Sequence, residues 1–167
     1  IHNSSTVIYG NTIVDNHATV NSGAIKILGD LSKPSIKYNL ICYNSAPETH
    51  CGGIDYNGDI ENLIFECNCV WSNFPAGSDY CGLLSNQTGI NGNISTDPLF
   101  CGLQGSDNYY LQQLSPCAEV NVPLYCSGKR IGYYPVYCET ANANTSWGAL
   151  KSRLIQEEDV DKGPIQD

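Results

Sequence analysis

Apolar residues along this chain fall in short runs of about four to six positions, rich in Ile, Val, Tyr and Cys, each bounded by Asn, Gly, Asp, Ser or Pro. Runs this short and this often interrupted predict strands and turns, not helices. The runs recur. Asn11-Thr12-Ile13-Val14-Asp15-Asn16 returns as Asn39-Leu40-Ile41-Cys42-Tyr43-Asn44 and again as Asn68-Cys69-Val70-Trp71-Ser72-Asn73, at spacings of 28 and 29 residues. Gly23-Ala24-Ile25 returns as Gly52-Gly53-Ile54 and Cys81-Gly82-Leu83, and Gly29-Asp30 as Gly58-Asp59. A fixed period of this length predicts a stacked architecture, because one coil cannot bury its own apolar side and a stack can.

Three runs fit within each period, and for the first full coil these are 11–14, 24–28 and 35–38. Three strands and three turns make a triangular coil. Stacking pairs each strand in parallel with its counterparts about 4.8 Å above and below. The predicted inward columns are Ile13, Ile41 and Val70; Ile25, Ile54 and Leu83; and Ile8, Ile36 and Phe65. Asn11, Asn39 and Asn68 would form an amide ladder at one corner, where Asn tolerates a left-handed backbone. Lys26 and Asp55 share an outward column and predict an ion pair between coils. After Trp71 the turn 72–80 reads as a longer, Pro- and Gly-containing loop.

The Asn-x-Ile-x-x-Asn … Gly-Gly-Ile rungs resemble the parallel β-helix of the pectate-lyase-like superfold. The stretches 68–73 and 89–100, Asn108-Tyr109-Tyr110-Leu111 with Ser115-Pro116-Cys117, and Ile131-Gly132-Tyr133 are similar to the last coils of secreted microbial β-helix repeat proteins. The resemblance covers roughly residues 5–135. It implies an all-β, right-handed parallel β-helix (a β-solenoid) of about four coils. It does not imply an activity, since function resides in sites grafted onto folds.

The expected organisation is coils over 1–100, a cysteine-containing C-terminal cap over 101–138, and a linker, short helix and acidic tail over 139–167. Leu99 and Phe100 are expected to cover the bottom of the core. Trp147, Leu150 and Leu154 stand at helical spacing behind Ser146, a candidate N-cap. With no Met in 167 residues, the chain reads as processed or as part of a longer one. Val7 and Ile8, read as inward residues of the first coil, then mark an end that another molecule or segment would cover, with Trp147, Leu150 and Leu154 as further candidates for self-association.

The net charge is −9, from 17 Asp plus Glu against 8 Lys plus Arg. That balance argues against nucleic acid, which selects a basic footprint, and no run is apolar and long enough to insert in a membrane. Nine cysteines suggest an oxidising compartment, outside the cell or at its surface. No Cys-x-x-Cys is present, and His partners at zinc spacing are missing, so disulfides are expected over metal ligation. Candidate pairs are Cys51 with Cys81, Cys42 with Cys69, and Cys117 with Cys126, and the odd count leaves a thiol over.

Candidate chemistry is sparse. Asp30 and Asp59 share a turn column, and two stacked carboxylates would be stabilised by a cation such as Ca²⁺; two solvated turn residues are the simpler reading, and no other cofactor is expected. A lyase of this architecture needs a basic proton abstractor beside a cluster of acids, and the chain has no Arg before Arg130. A hydrolase needs carboxylates close together on neighbouring rungs, and Asp15 is matched by Tyr43 and Ser72. No catalytic residues are therefore expected. Tyr38, Tyr43, Tyr56 and Tyr80 are candidates for stacking on sugars, with packing between coils as the plainer reading. The expectation is a non-enzymatic extracellular module for adhesion or assembly, through self-association, other surface proteins or end-to-end stacking into a filament. A polysaccharide-binding or polysaccharide-cleaving domain is the alternative.

Overall fold

In the computed structural model, which describes residues 1–2, 4–29, 33–102 and 108–138, the short apolar runs form eleven strands. They are β1 (Val7–Tyr9), β2 (Thr12–Val14), β3 (Ile25–Leu28), β4 (Ser35–Lys37), β5 (Leu40–Cys42), β6 (Ile54–Asn57), β7 (Ile64–Glu66), β8 (Cys69–Trp71), β9 (Tyr80–Gly82), β10 (Leu111–Gln112) and β11 (Val136–Cys138). Three parallel sheets, ordered β1-β4-β7, β2-β5-β8 and β3-β6-β9, form the walls of a β-solenoid of about four coils.

The walls close on a core of stacked like residues. Ile8 lies over Ile36 and Phe65, Ile13 over Ile41 and Val70, and Ile25 over Ile54. Ile36, Ile41, Ile54 and Val70 have no exposed surface. Alternation along a strand puts the neighbours outside, so Val7 is outward and 68 % exposed, not inward beside Ile8 as expected.

The third column slips. Ile54 pairs with Tyr80, while Leu83 is exposed and Leu84 enters the core. The cause is the turn: Asn73 and Tyr80 are seven residues apart, whereas Asn16 and Ile25 are nine and Asn44 and Ile54 are ten. That turn is shorter than its counterparts, not longer. Gly52 and Gly53 allow it to fold close, because a Cβ on either would collide with the backbone of Phe74 or Asp79.

The segment 108–138 does not close the bottom of the core but lies along the outer face of the β2-β5-β8 sheet. Gly132 N–H donates to the Tyr38 carbonyl (2.7 Å) and Tyr133 N–H to Thr12 Oγ1 (3.0 Å). Leu111, Cys117 and Ile131 pack there on Leu40, Cys42 and Cys69, with Phe100 at the margin of this second cluster. Strand β5 is therefore buried on both faces, which explains why Leu40-Ile41-Cys42 has no polar alternate.

If the outer layer is part of the core, Ile131→Ala, at a position with no exposed surface, costs about 2–5 kcal/mol in urea unfolding. A loss under about 1 kcal/mol would mean that the segment contributes little to holding the coils.

Candidate functional site

The most regular polar feature of the solenoid is a pair of asparagine ladders at two of its corners. Asn11 donates through both its backbone N–H and Nδ2 to Asn39 Oδ1, each at 3.0 Å. Asn39 repeats this to Asn68 (2.9 and 3.1 Å), and Asn68 to Asn93 (2.8 and 3.2 Å). The second ladder runs from Asn16 to Asn44 (3.1 and 2.8 Å), then to Asn73 (both 3.0 Å). Each inner amide also donates upward, Asn39 to the Ile8 carbonyl and Asn44 to the Ile13 carbonyl, both at 2.9 Å. The sequence shows the spacing of Asn16, Asn44 and Asn73 but not their ladder, nor Asn93 and Asp79 as the ends.

The left-handed backbone falls not on these asparagines but on the residue before each. Gly10, Tyr38, Cys67 and Gly92 precede one ladder and Asp15, Tyr43 and Ser72 the other, all with φ between 53° and 74°. The turn therefore comes first, and it delivers the Asn side chain inward along the stack.

The two ends of the ladders differ. At the upper end Asn11 Oδ1 and Asn16 Oδ1 receive no donor among the described residues. Ile8 and Ile13 are only partly covered there. At the lower end Asp79 stands where an Asn would continue the ladder, and its Oδ1 accepts both donors of Asn73 (3.0 and 2.7 Å). Asn93 gives its backbone N–H to the Ile90 carbonyl (2.9 Å). The ladders are open above and closed below.

The remaining candidates are placed as follows. Asp59 caps a short 3₁₀ turn, accepting from Glu61 N–H and Asn62 Nδ2, both at 3.0 Å. Asp30, Trp147, Leu150 and Leu154 lie outside the described residues. No group of three or more His, Cys, Asp or Glu side chains is arranged to hold a metal among the described residues. Lys26 pairs with Asp55 at 3.2 Å, and Lys37 with Glu66 at 2.8 Å. All four side chains are 15–32 % exposed, so each pair contributes about 0–1 kcal/mol. Tyr56 is fully buried; burial also raises the Tyr80 phenol well above its usual range, and both pack within the core. Tyr43, with its phenol pushed up to about 12 by burial, packs edge-on against Trp71, and Tyr38 tilts against Tyr9.

Cys51 and Cys81 are joined, linking two coils across a Cα separation of 6.0 Å. The other two expected pairs are corrected. Cys126 joins Cys67, not Cys117, and Cys101 joins Cys138. Gly92 makes room for the first of these, since a Cβ there would meet both sulfurs. Cys42 and Cys69 are both free, because the register sets Leu40 opposite Cys69 and leaves Cys42 opposite Trp71. Cys42, Cys69 and Cys117 lie together in the outer cluster. Burial raises the Cys42 thiol far above its usual range; the Cys117 thiol is raised by its contact with Cys69 and by burial.

Comparison with family models, with curated proteins and with solved structures returns no match. The architecture itself, parallel strands stacked in repeating coils, is that of a parallel β-helix repeat protein. Its three disulfides are compatible with an extracellular setting, and no helix among the described residues is long and apolar enough to cross a membrane.

A buried thiol held in its neutral form is a poor nucleophile. The folded protein should therefore show no reaction with a thiol-specific reagent at pH 8. Unfolding without reductant should release three thiols; a count of one would mean that two of Cys42, Cys69 and Cys117 are joined.

Proposed function

We propose that this is a non-enzymatic, extracellular structural module that acts in adhesion or assembly through the upper end of its solenoid. The observation that carries the reading is the upper end of the two ladders, where Asn11 and Asn16 each offer an amide oxygen that no described residue bonds. Beside them lie the upper edges of β1 and β2 and the partly covered Ile8 and Ile13. Open parallel edges template association unless they are covered. The fitting partner is a coil whose corner amides donate downward onto Asn11 and Asn16 and so continue the ladders.

The lower end weighs against unlimited end-to-end stacking. A neighbour's Asn16 would there meet the Asp79 carboxylate, an acceptor facing an acceptor. Association of copies is therefore expected as small assemblies held by the strand edges and by Ile8 and Ile13 at the upper end, and not by the ladders themselves.

Sedimentation and electron microscopy of the unreduced protein test this. The expected result is reversible, concentration-dependent association that Ile13→Lys weakens at least tenfold, with circular dichroism showing that the variant keeps its fold despite the stability it loses. A protein that remains monomeric at every concentration would remove self-association. Long regular filaments would show that the lower end accepts a neighbour after all.

A further inference from the structure

Two Asn-x-Ser/Thr triplets, the acceptor pattern for N-linked glycans, follow β9: Asn86-Gln87-Thr88 and Asn93-Ile94-Ser95. Two more begin at Asn3 and Asn144, which lie outside the described residues. The fold separates the first pair. Asn93 is the last amide of its ladder and has no exposed surface. Its Oδ1 accepts both donors of Asn68, at 2.8 and 3.2 Å. Its Nδ2 donates to the Phe65 and Ile90 carbonyls, at 3.0 and 2.7 Å. An N-linked sugar replaces one of those two hydrogens and needs room that the coil wall fills. A chain modified at Asn93 could not close the step from Asn68 to Asn93, so the folded protein is the one that lacks a glycan there.

Asn86 is the opposite case. It is exposed, as is Thr88, and residues 84–87 form neither strand nor helix. Its Oδ1 accepts from Thr88 N–H at 2.9 Å, which folds the first residue of the triplet back onto the third. Its Nδ2 bonds nothing among the described residues. The loop is closed by backbone bonds instead, from Gly89 N–H to the Asn93 carbonyl (2.8 Å) and from Ile90 N–H to the Gln87 carbonyl (3.0 Å). A bulky group on Asn86 Nδ2 leaves all of these in place. Asn86 and Thr88 also line a cavity of about 160 Å³ together with Asp79, the residue that closes the second ladder.

We propose that Asn86 is an N-glycosylation site and that Asn93, which matches the same pattern, is not. In the transfer, Asn86 Nδ2 displaces a lipid diphosphate from the anomeric carbon of a lipid-linked oligosaccharide. The C–N bond forms as the C–O bond to the diphosphate breaks; the diphosphate leaves with the electron pair, and one amide proton passes to a base of the transferase. The site rests on the extracellular setting proposed above, because the donor and the transferase belong to the secretory route. The glycan would stand beside Asp79, at the lower end of the solenoid. Its bulk there keeps neighbours from that end and leaves the upper end free for association.

The test is the whole chain secreted from cultured mammalian cells. An amidase that removes N-linked glycans deamidates the asparagine that carried each one, and peptide fragmentation mass spectrometry locates the change against an untreated control. Asn86 should be deamidated by the enzyme and Asn93 should not. Asn86→Gln and Thr88→Ala should each lose one glycan from the intact mass. Thr88→Ser should keep it, because a hydroxyl remains at the third position, and circular dichroism checks that each variant is folded. The disulfide count of the same material reports the setting separately. Secreted protein with its three disulfides and a bare Asn86 would overturn the site and leave the extracellular reading standing. A glycan on Asn93 in folded protein would overturn the distinction between the two triplets. Protein retained in the cell without its disulfides would remove the setting and the site with it.

Discussion

The structure depends on the bonding of asparagine side chains between coils at two corners. Each corner bends the chain through a left-handed residue, and five of the seven are not glycine: Asp15, Tyr38, Tyr43, Cys67 and Ser72. That conformation costs roughly 1–2 kcal/mol per residue. An inner asparagine returns several hydrogen bonds. Asn44, for example, accepts from Asn16 and donates to Asn73 and to the Ile13 and Cys42 carbonyls. At about 0.5–1.5 kcal/mol net for each bond, the ladder outweighs the strain it sits beside. It also fixes register, because only one vertical alignment places each amide under the next.

Register in turn decides what lies outside. With Ile13, Ile41 and Val70 held inward, Leu40, Cys42 and Cys69 must face the other way. Left bare they would be an apolar stripe on the solenoid. The segment 108–138 covers that stripe and is tied by disulfides from Cys67 to Cys126 and from Cys101 to Cys138. In the chain-entropy picture, closing loops of 59 and 37 residues constrains the unfolded chain by about 4 kcal/mol each. The same segment carries Tyr133 and Tyr137 to the surface.

Much of this was legible in the sequence. The 28- and 29-residue period gives the inward columns of two walls directly, and Lys26 opposite Asp55 follows from it. What escaped the period was whatever breaks it. The short turn before Tyr80 moved the third wall by three positions, so Leu83, which matches Ile54 in count, does not match it in space. The lie of the outer segment had a signal, the unbroken Leu40-Ile41-Cys42, but covering by another layer leaves no periodic trace in the segment that covers. Cysteine pairing depended on that lie, which is why Cys126 was assigned to the nearby Cys117 and not to Cys67, 59 residues away. The aromatic contacts of this segment are hidden for the same reason: Phe100, Tyr109 and Tyr134 are scattered in sequence and meet only once the segment has folded back.

If the ladders hold the stack together, they are the last elements to open. Native-state hydrogen exchange on the asparagine amides measures this directly. Asn39 and Asn44 are fully buried, with both backbone and side-chain donors bonded across coils. Their protons should exchange only through global unfolding, with the same free energy as the backbone amides of Ile41 and Ile54. If the Asn39 and Asn44 protons exchanged by local opening, well below the free energy of the core strands, the ladders would be consequences of the stack and not what holds it together.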